Sequence, residues 1–194
     1  TSGDVLLNGR NITAIKDGEI CAFRREHLGF VFQDFNLLDT FSIEDNIFLP
    51  LVLSRQPHKV MQQRLAPIAQ KLGIGEILQK YPYEVSGGQK QRAAVARALI
   101  TNPQIILVDE PTGALDSKAA TKLLRMLHDI NSDGQTILMV THSIRAASHA
   151  GRVLFIKDGE VFHQIYRGQM TNDELYQKIS DTLTVLTTGG KNLE

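Results

Sequence analysis

IILVDEP at 105–111 and TILMV at 136–140 decide the fold, with SKAATKLLRMLHDIN at 117–131 between them. Both short runs are almost wholly apolar, which suits strands covered on both faces, and the stretch between them has its apolar residues at helical spacing. Strand, helix, strand in this form predicts an α/β fold whose parallel sheet packs under helices. Ligands in open parallel sheets bind beyond the carboxyl ends of the strands. There the first run delivers Asp109 and Glu110, and the second delivers Thr141 and His142. Two acids and a histidine thus converge on one edge. Taken singly, each strand has a plainer reading, in which its polar end caps the next helix.

Upstream, VSGGQKQRAAVARALITNP at 85–103 predicts an alanine-rich helix from Gln89 to Ile100, ended by Asn102-Pro103. Ser86 is a good N-cap, and Gly87 and Gly88 let another surface approach the backbone. Free N–H groups and the helix dipole make such an N-terminus an anion site. Standing alone, the motif also reads as an ordinary capped helix after a Gly-Gly turn.

The rest of the chain sorts by period. GDVLLNGRNI at 3–12 reads as a short strand ending at Asn8-Gly9, and HLGFVFQ at 27–33 as a second strand after the polar stretch from Lys16 to Glu26. Together these predict an outer β layer. Helical periodicity runs from Ser42 to Ile100 through SIEDNIFLPLVL, VMQQRLAPIAQKLG and GQKQRAAVARALI, and Pro67 predicts a start or a kink in the second. NDELYQKISDTLTVL at 172–186 is one more amphipathic segment before a polar end. The organisation expected is one domain over 1–194: β layer over 1–40, helical subdomain over 41–100, α/β core over 101–168, and C-terminal helix and tail over 169–194.

Lys plus Arg equals Asp plus Glu at 21 each, so charge gives no nucleic-acid footprint and no polybasic membrane anchor. Cys21 is the only cysteine, which excludes an internal disulfide and a cysteine-based metal cluster and suits a reducing compartment. No apolar run approaches the roughly 20 residues that a membrane-spanning helix needs, and TSGDVLLNGRN has no signal-peptide pattern. The expectation is a chain soluble by itself, with any membrane role supplied by a partner.

SGGQ at 86–89 resembles the signature motif of ATP-binding cassette proteins, and IILVDEP resembles their Walker B strand, with similarity over nearly the whole chain. Gln33 in FVFQ matches the family's Q-loop, Asp116 in GALD its D-loop and His142 its switch histidine. The resemblance implies an α/β, P-loop NTPase-like parallel sheet core with an α-helical subdomain and an N-terminal antiparallel β layer, here incomplete. It implies ATP and Mg²⁺ as ligands, and ATP hydrolysis as the activity. Asp109 would hold Mg²⁺ through water, Glu110 would polarise the attacking water, and His142 would donate to a γ-phosphate oxygen. Gln33 would ligate Mg²⁺ or the lytic water, although a satisfied strand-end glutamine is its plainer reading. Ser86, Gly87 and Gly88, grouped with Gln89, would contact nucleotide held by a second subunit, so that two cassettes pair head to tail. Asp116 fits that interface and equally fits an N-cap.

The P-loop pattern G-x-x-x-x-G-K-[ST] does not occur in the 194 residues. In the family, sequence like TSGDVLLNG follows the helix that the P-loop opens, so the expectation is a chain truncated at its N-terminus that binds ATP weakly or not at all and does not turn it over. A strand missing beside IILVD would leave an apolar edge and face uncovered, with poor stability or another chain over it.

DEPTGALDS and VFQDFNLLDTFSIEDNIFLPL resemble exporters of the macrolide, lipoprotein-release and antimicrobial-peptide-resistance group, and FHQIYRG at 162–168 favours the bacitracin branch. The partner implied is a transmembrane permease, with the ATPase at the inner face of the cell membrane. Phe41 to Leu53 fits both a permease-docking surface and core. Two other readings stand beside this one: a nucleotide-independent docking or dimerisation module, and a soluble ATPase of repair or translation. The absence of a heptad insertion between Gln33 and Ser86 argues against the coiled-coil repair relatives.

Overall fold

A computed structural model describes residues 3–113 and 115–187, with side chains described through residue 185. They fall into two compact units: residues up to 31 together with 35–107, and residues 32–34 together with those from 108 onward.

The first unit opens with β1 (Leu6–Leu7) and β2 (Arg10–Asn11), an antiparallel pair about Asn8-Gly9. Both turn residues have positive φ, 48° and 79°, a region that Asn tolerates and Gly enters freely. The polar stretch that follows is no plain connection, since Asp17–His27 forms helix α1. Asp17 and Glu19 stand in its first turn and Arg24, Arg25 and His27 in its last, the charge order that complements the helix dipole. Phe23 is its buried anchor, with the Arg10 guanidinium 5.0 Å from the ring centre.

β3 (Leu28–Val31) follows, then α2 (Ile43–Leu53), α3 (His58–Leu72) and α4 (Gly87–Leu99). Ser42 caps α2 by accepting from Asp45 N, and Ile43, Ile47, Phe48 and Leu51 turn inward. α3 neither starts nor breaks at Pro67 and ends at Gly73, in the left-handed conformation a helix stop favours. α4 buries Ala93, Ala94, Val95, Ala96 and Ala98 and packs against α2, α3 and β3. Small side chains on that face let its neighbours come close, most of all at Gly29. A Cβ there would lie 2.6 Å from the carbonyl oxygen of Ala98.

β4 (Ile105–Asp109) runs from the first unit into the second, and α5 (Ser117–Ser132) leads from it to β5 (Thr136–Val140). α5 buries Ala120, Leu123, Leu124, Leu127 and Ile130, one stripe of a helix. β3, β4 and β5 form one sheet in that order. HLGFVFQ therefore contributes a strand beside β4 in the central sheet, and the antiparallel outer pair is β1 with β2. β4 is flanked on both sides, so the open edge expected beside IILVD is not there. On the strands of this sheet, the exposed large apolar side chains among the described residues are Leu138 and Val140 of β5, 52% and 59% exposed.

The second unit continues with α6 (Ile144–Ala147), the antiparallel hairpin of β6 (Arg152–Lys157) and β7 (Glu160–Tyr166), and α7 (Asn172–Thr187). Phe155 and Ile165 of the hairpin pack with Leu175 and Ile179 of α7 into a small core. Of the tail expected over 169–194, residues 188–194 lie outside the described residues. No helix among the described residues is long and apolar enough to cross a membrane.

Candidate functional site

β4 ends at Asp109, whose side chain is exposed, and the chain then turns sharply. Glu110 has φ 41°, a left-handed conformation that costs a non-glycine residue about 1 kcal/mol or more and collects at functional sites. Sheet pairing still reaches it, because its N–H donates to the Val140 carbonyl at 2.9 Å. The next residues along β5 then grip its carboxylate. Thr141 Oγ1 donates to Glu110 Oε2 at 3.0 Å, and the His142 N–H donates to Oε1 at 2.6 Å. His142 Nε2 lies 3.7 Å from the same oxygen, on a ring that is 98% exposed. Each carboxylate oxygen keeps a lone pair for a further donor, and the imidazole is free to meet a ligand.

The peptide after Glu110 is tied as well. Gly113 N–H donates to the Glu110 carbonyl at 3.1 Å, closing a turn over Pro111 and Thr112. The Gln33 side chain lies over that turn, since a Cβ on Gly113 would be 3.1 Å from Gln33 Nε2. Residues 32–34 belong to the same unit as Glu110 and His142. Gln33, Glu110 and His142 are thereby gathered about one exposed edge, with Asp109 preceding Glu110 in the chain.

No three His, Cys, Asp or Glu side chains among the described residues are grouped to hold a metal unaided. Mg²⁺ does not need such a cage, because it keeps waters and takes phosphate oxygens alongside one or two protein oxygens. The Asp109 carboxylate and the Gln33 amide oxygen are donors of that hard type, so this edge fits a nucleotide-borne ion.

Asp116 is an N-cap: its Oδ1 accepts from the backbone N–H groups of Lys118 and Ala119, 2.9 Å each. Ser86 caps α4 in the first unit, accepting from Gln89 N, while Gln89 Oε1 reaches back to Ser86 N at 2.8 Å. This capping box occupies the Gln89 side chain. A Cβ on Gly87 or Gly88 would meet nothing within 4 Å, so the glycines leave open space at the start of the helix.

Three residues given no role by motif complete the scaffolding. Thr141 orients Glu110 and also accepts from Ser143 N at 3.0 Å, fixing the turn into α6. Asn46 is fully buried, accepting from Leu38 N and donating to the carbonyls of Leu38, Phe41 and Ser42. It thus knits the loop before α2 to the helix. Arg97 donates to Phe35 and Asn36 carbonyls on the turn just after Gln33 in sequence. A polar residue in an apolar helix face was the available signal for Asn46 and the polar end of β5 for Thr141; nothing local marks Arg97.

The sequence model of the ABC transporter family matches residues 1–113. The ABC transporter ATP-binding protein YxdL of Bacillus subtilis (strain 168) is 53% identical over 186 residues, covering 95% of this chain and 72% of that protein. The bacitracin export ATP-binding protein BceA of Halalkalibacterium halodurans is 46% identical over 187 residues, covering 96% and 74%. A dimeric structure of the ATP-binding cassette MJ0796 in a post-hydrolysis state, bound to ADP and Pi, matches with a TM-score of 0.73 at 36% identity. That match covers 86% of this chain and 74% of the other. The motifs, the sheet that carries them and relatives of this closeness all point one way, and the chain belongs to the ABC transporter family as an ATP-binding cassette.

Proposed function

We propose that this chain belongs to the ATP-hydrolysing subunit that energises a bacterial exporter of antimicrobial peptides or related amphipathic compounds. The observation that carries the reading is the Glu110 carboxylate, held between the Thr141 hydroxyl and the His142 N–H at the end of β4. A carboxylate fixed in this way is ready to polarise a water for attack on a γ-phosphate, without first reorganising. The exposed His142 ring donates to the γ-phosphate oxygens, and Gln33 orients the water or the ion. Asp109 would hold Mg²⁺ through water, and the ion would supply neutralisation of charge on the phosphates.

Ser86, Gly87 and Gly88 offer a capped helix N-terminus to nucleotide held by a second copy, giving a head-to-tail homodimer. The capping box gives Gln89 the task of shaping that N-terminus, and Asp116 serves both its cap and the dimer interface. The cassette acts at the inner face of the cell membrane, attached through a transmembrane permease and needing no nucleic acid. Because the 194 residues include no P-loop pattern, this chain by itself holds ATP weakly and does not turn it over.

Bacitracin tolerance tests the exporter reading. Cells whose native gene carries Glu110→Gln are expected to become as sensitive to bacitracin as cells lacking the gene. Tolerance unchanged in both strains would remove bacitracin and its like as the cargo.

A further inference from the structure

The second unit contains a cavity of about 540 Å³ that shares no residue with the Glu110 edge. Arg125 of α5 and Arg145 of α6 line it, together with His149 just beyond α6 and Asn172, Asp173 and Tyr176 of α7. Among the described residues no carboxylate lies within ion-pair distance of Arg125 or Arg145. A third guanidinium, Arg167, is locked in place by uncharged partners: it donates to the carbonyls of Ser148 and Ala150 and to Asn172 Oδ1. The Asn172 amide in turn lies 3.4 Å from both ring nitrogens of His149.

This arrangement collects more positive than negative charge about the cavity. Burial, then Arg167, His128, Arg145 and Arg125, push the His149 imidazole below its ordinary value. Asp173 is the one carboxylate in the lining. The volume falls in the range of small-molecule sites, about 300–1,000 Å³, and exceeds what a bare inorganic anion fills. Guanidinium groups recognise phosphate oxygens two at a time, and the half-exposed Tyr176 ring offers a flat apolar surface beside them.

We propose that this cavity binds a small phosphate-bearing anion, with Arg125 and Arg145 on the phosphate and Tyr176 against any organic portion. Such an occupant ties α5 to α6. Because α6 starts two residues after His142 and is capped by Ser143, the occupant also steadies the segment that carries the switch histidine. The reading goes beyond ATP hydrolysis and does not depend on it.

Calorimetric titration of the 194-residue chain with inorganic phosphate and with phenyl phosphate tests the site. One-to-one binding is expected, weakened at least about tenfold in Arg125→Gln/Arg145→Gln and strengthened in Asp173→Asn. Tighter binding of phenyl phosphate supports an ester as ligand, and equal binding supports the free anion. Absence of saturable binding, or equal affinity in the double variant, overturns the proposal. NMR titration of the His149 ring in the unaltered chain gives a second readout: saturating phosphate is expected to raise its pKa, and an unmoved His149 also overturns it.

Discussion

Arg97 donates to the carbonyl oxygen of Asn36 at 2.6 Å, and its other terminal nitrogen reaches the Phe35 carbonyl at the same distance. Phe35 and Asn36 both have positive φ, 62° and 45°, so the turn is strained and needs outside support. The support comes from α4, the helix that starts with the signature glycines. One guanidinium thus joins that helix to the turn immediately after Gln33 in the sequence.

Removing that clamp should be costly. Arg97→Met is expected to destabilise the protein by roughly 2–4 kcal/mol, because two charge-assisted bonds are lost and two strained carbonyls are left unanswered. Arg97→Lys recovers little, since one ammonium does not reproduce the planar fork. Urea unfolding measures both, and amide exchange over 35–38 should quicken in step. Stability within about 0.5 kcal/mol of the parent would contradict this.

Gly29→Ala tests the close approach of β3 to α4. The added methyl would meet the Ala98 carbonyl oxygen at 2.6 Å. Thermal unfolding should show a loss of about 1–3 kcal/mol. Ala98→Gly is expected not to rescue the variant, because the obstacle is backbone; full rescue would mean that the Ala98 side chain sets the spacing.

His149 makes stability depend on pH. Its folded pKa lies below the ordinary histidine value of 6.5, first through burial and then through Arg167, His128, Arg145 and Arg125, with Asp173 the opposing charge in the same cavity. Folding therefore favours the neutral ring. That contribution is fully present above pH 6.5 and is lost as pH falls through the folded value. His149→Gln should flatten this limb of the stability curve, and an unchanged slope would assign the acid loss to other groups.

The elements that were legible in the sequence are those whose signal is local. β4 and β5 announce themselves as apolar runs, α2 by its helical period, and α4 and α5 by Ser86 and Asp116 as caps. α1 was hidden because one inward residue, Phe23, in eleven leaves no apolar stripe. Asp158-Gly159, with φ 52° and 83°, is a hairpin-turn pair that joins β6 to β7. The neighbours of β3 and β4 are not legible locally, because strand order is set by distant pairing.

The same division holds at the site. Glu110, His142 and Gln33 stand in recognisable motifs, and the structure gathers them. The roles of Thr141 and Arg97 depend on partners about 31 and 61 positions away, which no local pattern reveals. Gln89 sits inside the motif, yet its side chain is spent on capping Ser86.

The central claim is that Glu110 activates the lytic water, and the direct measurement is ATP turnover by the native transporter carrying Glu110→Gln, with nucleotide binding measured in parallel. Binding retained with hydrolysis slowed on the order of 10²–10⁴-fold is the expected result. Turnover equal to that of the parent would show that another group activates the water, and that the grip of Thr141 and His142 on Glu110 serves the fold alone.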